Sequence, residues 1–269
     1  MKIFAIKSDS LGERTLGYLL YYEKADRFYI ELPDAADEWD TPMLLSSFVK
    51  RGRRTVDSYW SRQWVQQRIV PADRQNIGSI LRDNGLDRYD EMALLELSEG
   101  RCAQDDYYIV SIRKEALPEE VLRRFDFRVE EAVPLEGSQL MVFFRDGTVR
   151  RCDMKSLCTD LRFARILQYA VLFSAVAVQT DGFGVTWGEN LDVAAEILYR
   201  EGEVIPLSLN DFRRFASFCV TDTAGACKAL ECSRQNISDL VKRGKLHPLR
   251  YSGAGALFWK SDLRKRMWE

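Results

Sequence analysis

Residues 221–266 read TDTAGACKALECSRQNISDLVKRGKLHPLRYSGAGALFWKSDLRKR, and the order of elements in this stretch decides how the C-terminal part folds. Thr223 to Leu230 carries a short helix pattern that breaks at Glu231–Cys232. A second helix opens on Ser233, whose hydroxyl can accept a bond from an otherwise orphaned backbone N–H. Ile237, Leu240 and Val241 fall at i, i+3 and i+4, so all three share one buried face. Gly244 stands where a left-handed residue lets the chain leave the helix. Arg234, Gln235 and Asn236 occupy the first turn, off the apolar face. Two helices joined by a short turn, with long polar side chains opening the second, suit a DNA major groove.

Outward from this pair, Asn210 to Phe218 reads as a lead-in helix. Lys245 to Tyr251 reads as a strand with Pro248 on its edge. Ser252 to Gly255 supplies a turn, Ala256 to Trp259 the returning strand, and Ser261 the cap of a last helix. Helix, turn, helix, hairpin, helix is a winged arrangement. The charge supports it. The 269-residue chain has a net charge of −2, yet residues 208–269 hold 12 Lys/Arg against 6 Asp/Glu, a net of +6, leaving −8 for the rest. Positive charge therefore sits where a phosphate-binding surface needs it.

The segment ACKALECSRQNISDLVKRGKL, with FWKSDL after it, resembles the excisionase and mercury-resistance-regulator class of winged helix-turn-helix domains. The resemblance implies that Ser233, Arg234, Gln235 and Asn236 face the groove, while Lys242, Arg243 and Lys245 lie near backbone phosphates. Arg250 completes the candidate DNA-binding set. The hairpin tip, Ser-Gly-Ala-Gly, carries no charge, which moves the expected contact from the wing to the helix.

Composition bounds the rest. At 46% hydrophobic and 30% charged, the chain has a globular composition without a disorder signature. Six cysteines show no C-x-x-C pair, and no signal peptide is evident; reduced thiols and a cytoplasmic location are expected. The longest apolar run, Tyr169 to Val178, is too short for a bilayer and reads as buried core.

Ile3 to Ile6, Leu16 to Tyr22 and Arg27 to Leu32 read as strands, and Pro33 to Asp40 as an acidic loop. Asp57 caps a helix bearing Trp60 and Trp64. Pro71 opens another that carries Ile77, Ile80 and Leu81 and ends at Gly85. A third, from about Asp87 to Leu97, offers Met92, Leu94 and Leu95 to a core, and Tyr107 to Ile112 is a strand. The order LGYLL, RFYIELP, then RIVPADRQNIGSILRDNGLDRYDEMALLELSEGRCAQDD is similar to the small N-terminal subdomain of high-persistence toxin kinases. Without a matching glycine after Arg101, an H-R-D-type loop or a D-F-G-type site, it implies a protein-interaction module. Lys50, Arg51, Arg53 and Arg54 form a basic knot that reads as a solvated loop. Cys102 beside Asp105 and Asp106 offers a thiol and two carboxylates, but the sole histidine, His247, lies in another region.

Leu117 to Arg124 reads as a linker. Beyond it, Phe127 to Pro134 and Gln139 to Phe144 are strands, and Asp146–Gly147 turns the chain into Thr148 to Asp153. Asp181–Gly182 turns into Gly184 to Trp187, and a helix spans Asp192 to Tyr199, with Asp192 and Glu196 on one face. The segments LMVFFRDGTVRRCDM, FSAVAV and WGENLDVAAEILY resemble a small bacterial domain family of unknown function, which implies an antiparallel sheet with one or two helices. Gly182, Gly184 and Gly188 lack G-x-G-x-x-G spacing and read as turn glycines, so no cofactor is expected. Cys219, Cys227, Cys232 and His247 match no common zinc spacing.

The expected fold class is α+β: two small α+β modules, residues 1–116 and 125–207, then a C-terminal winged helix-turn-helix domain, 208–269. The expected function is sequence-specific binding of double-stranded DNA by a bacterial transcriptional regulator. It would be non-enzymatic, homodimeric and cytoplasmic, without cofactor, metal or membrane anchor. Two alternatives stand beside it: a protein-interaction or antitoxin-like adaptor working through residues 1–116, and a hydrolase or transferase using Cys102 or Asp105.

Overall fold

The computed structural model describes residues 1–12, 14–188, 191–252 and 255–268. It is an α+β fold, and the chain forms two compact units, Met1–Leu122 and Arg123–Glu269.

In the first unit, β1 (Lys2–Ser8), β2 (Thr15–Tyr22) and β3 (Arg27–Glu31) form an antiparallel meander, with Phe4 opposite Leu19 and Leu19 opposite Ile30. Helix α1 (Met43–Lys50) and the short β4 (Thr55–Val56) follow, then α2 (Ser58–Gln66), α3 (Ile77–Asp83), α4 (Glu91–Leu97) and β5 (Tyr107–Ile112). The five strands order as β4-β3-β2-β1-β5. Apolar residues recurring on alternate strand positions meet helical ones, so that Leu19, Phe28 and Ile30 share a core with Leu45, Trp64 and Leu95. Asp57 and Asp90 cap α2 and α4 by accepting the N–H of Trp60 at 3.0 Å and of Ala93 at 2.9 Å.

Two expectations for this unit change, and one further helix appears. The helix expected from Pro71 begins only at Ile77, because successive tight turns (Arg74 N–H to the Pro71 carbonyl, Ile77 N–H to the Arg74 carbonyl) occupy the residues before it. The acidic loop is followed by α1, which buries Leu45 and Phe48. The segment read as a linker is α5 (Glu119–Asp126), and Leu117, Val121 and Phe125 are buried at i, i+4 and i+8. The boundary between the two units falls inside this helix.

In the second unit, β6 (Val129–Leu135), β7 (Gln139–Phe144) and β8 (Val149–Asp153) form hairpins, with Gly147 at φ 84° in the turn after Asp146. Helices α6 (Met154–Leu157), α7 (Ala164–Gln168) and α8 (Ala170–Phe173) lead to β9 (Ala177–Val178), β10 (Gly184–Thr186) and β11 (Asp192–Ala194). Then come α9 (Ala195–Glu201) and β12 (Glu203–Val204). One sheet orders β12-β8-β7-β6 and the other β11-β10-β9. The Tyr169–Val178 run corrects the sequence reading. Only Phe173, Val176 and Val178 are buried, while Val171 is 84% and Tyr169 53% exposed, because α8 is a single turn with one inward face. Asp192 also leaves the expected helix: it pairs with Thr186 in the β10–β11 ladder, so Asp192 and Glu196 do not share a helix face.

The chain continues through α10 (Leu209–Cys219), β13 (Val220–Asp222), α11 (Thr223–Ala229), α12 (Arg234–Lys242), the hairpin β14 (Arg250–Ser252) and β15 (Gly255–Trp259), and α13 (Lys260–Trp268). Its sheet orders β13-β15-β14. Residues 208–269 belong to the same compact unit as the two sheets before them. The strand expected from Lys245 shortens to β14, since Pro248 has no N–H to give and the ladder starts with Leu249 N–H on the Leu257 carbonyl at 2.8 Å. The last helix begins at Lys260, and Ser261 is a buried helical residue instead of its cap. Gly253 and Ala254, in the expected hairpin tip, lie outside the described residues.

Candidate nucleic-acid interface

Helix α12 is built by local rules. The Ser233 hydroxyl accepts the Asn236 N–H at 3.3 Å, which fixes the first turn. At the other end Gly244 adopts φ 64°; its N–H bonds the Val241 carbonyl at 3.0 Å and the Lys245 N–H bonds the Leu240 carbonyl at 2.9 Å. This paired closure satisfies two terminal carbonyls. The turn before α12 closes the same way, with Cys232 N–H on the Cys227 carbonyl at 3.0 Å and Glu231 at φ 49° where glycine is usual.

Ile237 is 2% exposed and packs with Ala226, Leu246, Phe258 and Leu263, with Leu240 and Val241 partly buried beside it. Rotation about the helix then sets the other face outward. Ser233, Arg234, Gln235, Asn236, Lys242, Arg243, Lys245 and Arg250 are all exposed. The site residues expected from the sequence therefore lie on one short helix, its exit loop and the first hairpin strand.

The local excess of positive charge divides in two. Arg264 pairs with Glu131 at 2.7 Å, Lys265 with Glu130 at 2.6 Å and Arg214 with Glu136 at 2.8 Å, so three cations are engaged by β6 and the turn after it. Lys228, Arg234, Lys242, Arg243, Lys245 and Arg250 form no ion pair among the described residues. No signal in the sequence separates these groups, because the partners lie far along the chain.

Glu131 is 4% exposed. Burial, then the neighbouring Glu131 charge, pushes the Cys219 thiol up. Burial likewise raises Cys152 to about 12 and Cys158 to about 11, so these thiols stay protonated and behave as small apolar side chains. Cys219 packs with Val133 and Met141, whereas Cys227 and Cys232 border the core around Ile237. Among the described residues no three His, Cys, Asp or Glu side chains gather as a metal site would.

The other residues singled out by sequence are engaged locally. Asp105 accepts from Arg68 on one oxygen at 2.6 Å, and on the other from the Tyr107 N–H at 3.1 Å, with the Cys102 thiol 3.5 Å from that second oxygen. Arg68 itself stacks on Trp64, its guanidinium 4.0 Å from the ring centre. Asp106 accepts from the Ser8 hydroxyl and the Ser10 N–H, both at 2.8 Å. In the basic knot, Lys50 lies 3.8 Å from Glu38, Arg54 bonds the Asp34 carbonyl at 3.0 Å, and Arg53 covers Phe48.

A buried cluster in the second unit joins residues that the sequence does not connect. Arg128, 2% exposed, lies between the Phe125 and Phe183 rings at 3.7 and 3.9 Å and pairs with Asp181, which also takes Arg145 at 2.5 Å. Gly182 follows at φ 76°, and a Cβ there would collide with the Val129 carbonyl. Trp187 donates to the Phe173 carbonyl at 2.8 Å, and Tyr199 donates to Asp146 at 2.8 Å.

No helix of the described residues is long and apolar enough to cross a membrane. Comparison with curated proteins returns no match, and comparison with solved structures returns none either. Residues 129–203, from the first residue of β6 to the first of β12, match the family described as "Protein of unknown function (DUF2442)", and that segment of the chain is similar to it.

Proposed function

We propose that this chain is a sequence-specific DNA-binding protein, a bacterial transcriptional regulator acting in the cytoplasm, that reads the major groove with α12 of a winged helix-turn-helix domain. One observation carries the reading: α12 turns Ile237 inward and Arg234, Gln235 and Asn236 outward at its N-terminus, among cations without an ion-pair partner in the described residues. Arg234 can give two hydrogen bonds to a guanine edge, and Gln235 or Asn236 can do the same with adenine. Lys242, Arg243, Lys245 and Arg250 supply the salt-dependent share of affinity. Two copies would meet a two-fold site. No catalytic role is assigned to Cys102 or Asp105, whose bonds to Arg68 and the chain are structural.

Selection of genomic fragments on the purified protein at two salt concentrations tests the proposal. Binding should weaken as salt rises. Arg234→Ala with Gln235→Ala should flatten site preference, by about 1–3 kcal/mol for each bidentate base pairing removed. Lys242→Ala should weaken all sequences alike and lower the salt slope by about one. Fragments retained without salt dependence, or none retained, would sink it.

A second reading, an interaction module within residues 1–116, has one observation in its favour. Trp39 and Met43 are 84% and 90% exposed in the first unit, and large apolar side chains so placed are common anchors for partners. Capture of a defined protein that is lost in Trp39→Ala, with no DNA retained by the intact chain, would favour it.

A further inference from the structure

In the second unit a cleft of about 620 Å³ opens between the β7–β8–β12 side of the sheet and the first turns of α10. That volume is in the range of small-molecule sites. Its two walls each carry a guanidinium. Arg151 projects from β8 and lines the cleft. Arg214 projects from α10, and its partner Glu136 is 89% exposed, so that pair is weak and readily exchanged.

Carboxylates border both cations. Glu203 stands opposite Arg151 in the β8–β12 ladder. Asp211 lies on α10, where bonds from Ser208, then the positive charges of Arg151 and Arg214, hold its carboxyl below the usual range. Both guanidinium groups line the same cleft. Ile205 and Pro206 add apolar wall.

A simple anion would meet Glu136, Glu203 and Asp211, and a simple cation would meet two arginines. A molecule with a carboxylate and an ammonium a few bonds apart satisfies both sets. We propose that this cleft binds a free α-amino acid, its carboxylate taken by Arg151 and Arg214 and its ammonium by Glu203 or Glu136. The binding does not depend on the DNA reading. One consequence does: α10 runs directly into β13 and α11, so a ligand drawing Arg214 toward Arg151 would bear on the helix pair and make the amino acid an effector.

The test uses the intact protein without DNA. Each of the common amino acids is added at millimolar concentration, thermal unfolding is followed, and any that raises Tm is titrated calorimetrically. At least one should bind, while its amide, which lacks the carboxylate, and its desamino acid, which lacks the ammonium, should not. Arg151→Met and Arg214→Met should each weaken binding by about tenfold or more, with the second variant, on an exposed helix face, guarding against misfolding in the first. The inference is overturned if no amino acid binds, if the desamino acid binds as well as its parent, or if binding survives both substitutions. A DNA-binding measurement on the same samples reports separately on the proposed function.

Discussion

Tyr199 and Asp146 are the clearest case of a side-chain bond with a measurable consequence. Partial burial works against ionisation of Asp146, but the N–H and hydroxyl of Thr148 and the hydroxyl of Tyr199 together hold its carboxyl below the usual range. A depressed folded-state value contributes stability that is present above the unfolded value, near pH 3.9, and is lost as pH falls through the lowered one. Tyr199→Phe should therefore destabilise the protein at neutral pH and lose much of that effect in acid. Urea unfolding of both proteins at neutral pH and near pH 3 checks it; the ring contacts with Phe127 and Phe144 stay in the variant, so an equal difference at both pH values would show that the hydroxyl does not act through the Asp146 charge. Tyr199 was legible only as part of a family pattern. Its partner Asp146 lies 53 residues away and no local rule connects them.

Helix α12 shows how far local rules reach. The serine cap, the i, i+3, i+4 apolar spacing and the closing glycine were each readable, because each acts within one or two turns of chain. Ile237 is the pivot of that helix, fully packed against β15 and α13 side chains. Ile237→Ala should cost about 2–5 kcal/mol, read as a lower denaturation midpoint, and should abolish any DNA binding without changing an exposed side chain. Helix α5 shows the opposite. Its run of Glu and Arg reads as a charged linker, yet the segment is helical and buries Val121 and Phe125, which lie four residues apart on one side. The Tyr169–Val178 run fails from the other direction. Hydrophobicity alone predicts burial, but a one-turn helix can turn only one or two of its residues inward, leaving Val171 and Tyr169 in solvent.

Within the second unit the C-terminal segment is fastened to the sheet by two kinds of contact. Val133, Met141 and Cys219 form a small core with Phe215, Phe218 and Trp259 beside it. Over it, Arg264 reaches Glu131 and the Glu130 carbonyl, and Lys265 reaches the Glu130 carboxylate. The Glu131 side chain is 5% exposed and that of Arg264 22%. Removing the arginine alone leaves a buried carboxylate uncompensated. Arg264→Met should cost stability toward the lower end of about 3–5 kcal/mol, since the pair is partly solvated. Adding Glu131→Gln should restore part of the loss in a double-mutant cycle. If the single variant unfolds at the same denaturant concentration as the parent, the ion pair does not hold the segment.

Capped helices, alternating strands, turn glycines and the excess of cations after residue 208 were set by the sequence alone, because caps, side-chain periodicity and net charge are properties of neighbours along the chain. Tertiary structure alone decided which cations stay in solvent. Arg264 meets Glu130 across 134 residues and Arg214 meets Glu136 across 78. Ion pairing at such separations depends on how sheet and helix pack, and that packing also leaves Arg234, Lys242, Arg243, Lys245 and Arg250 exposed.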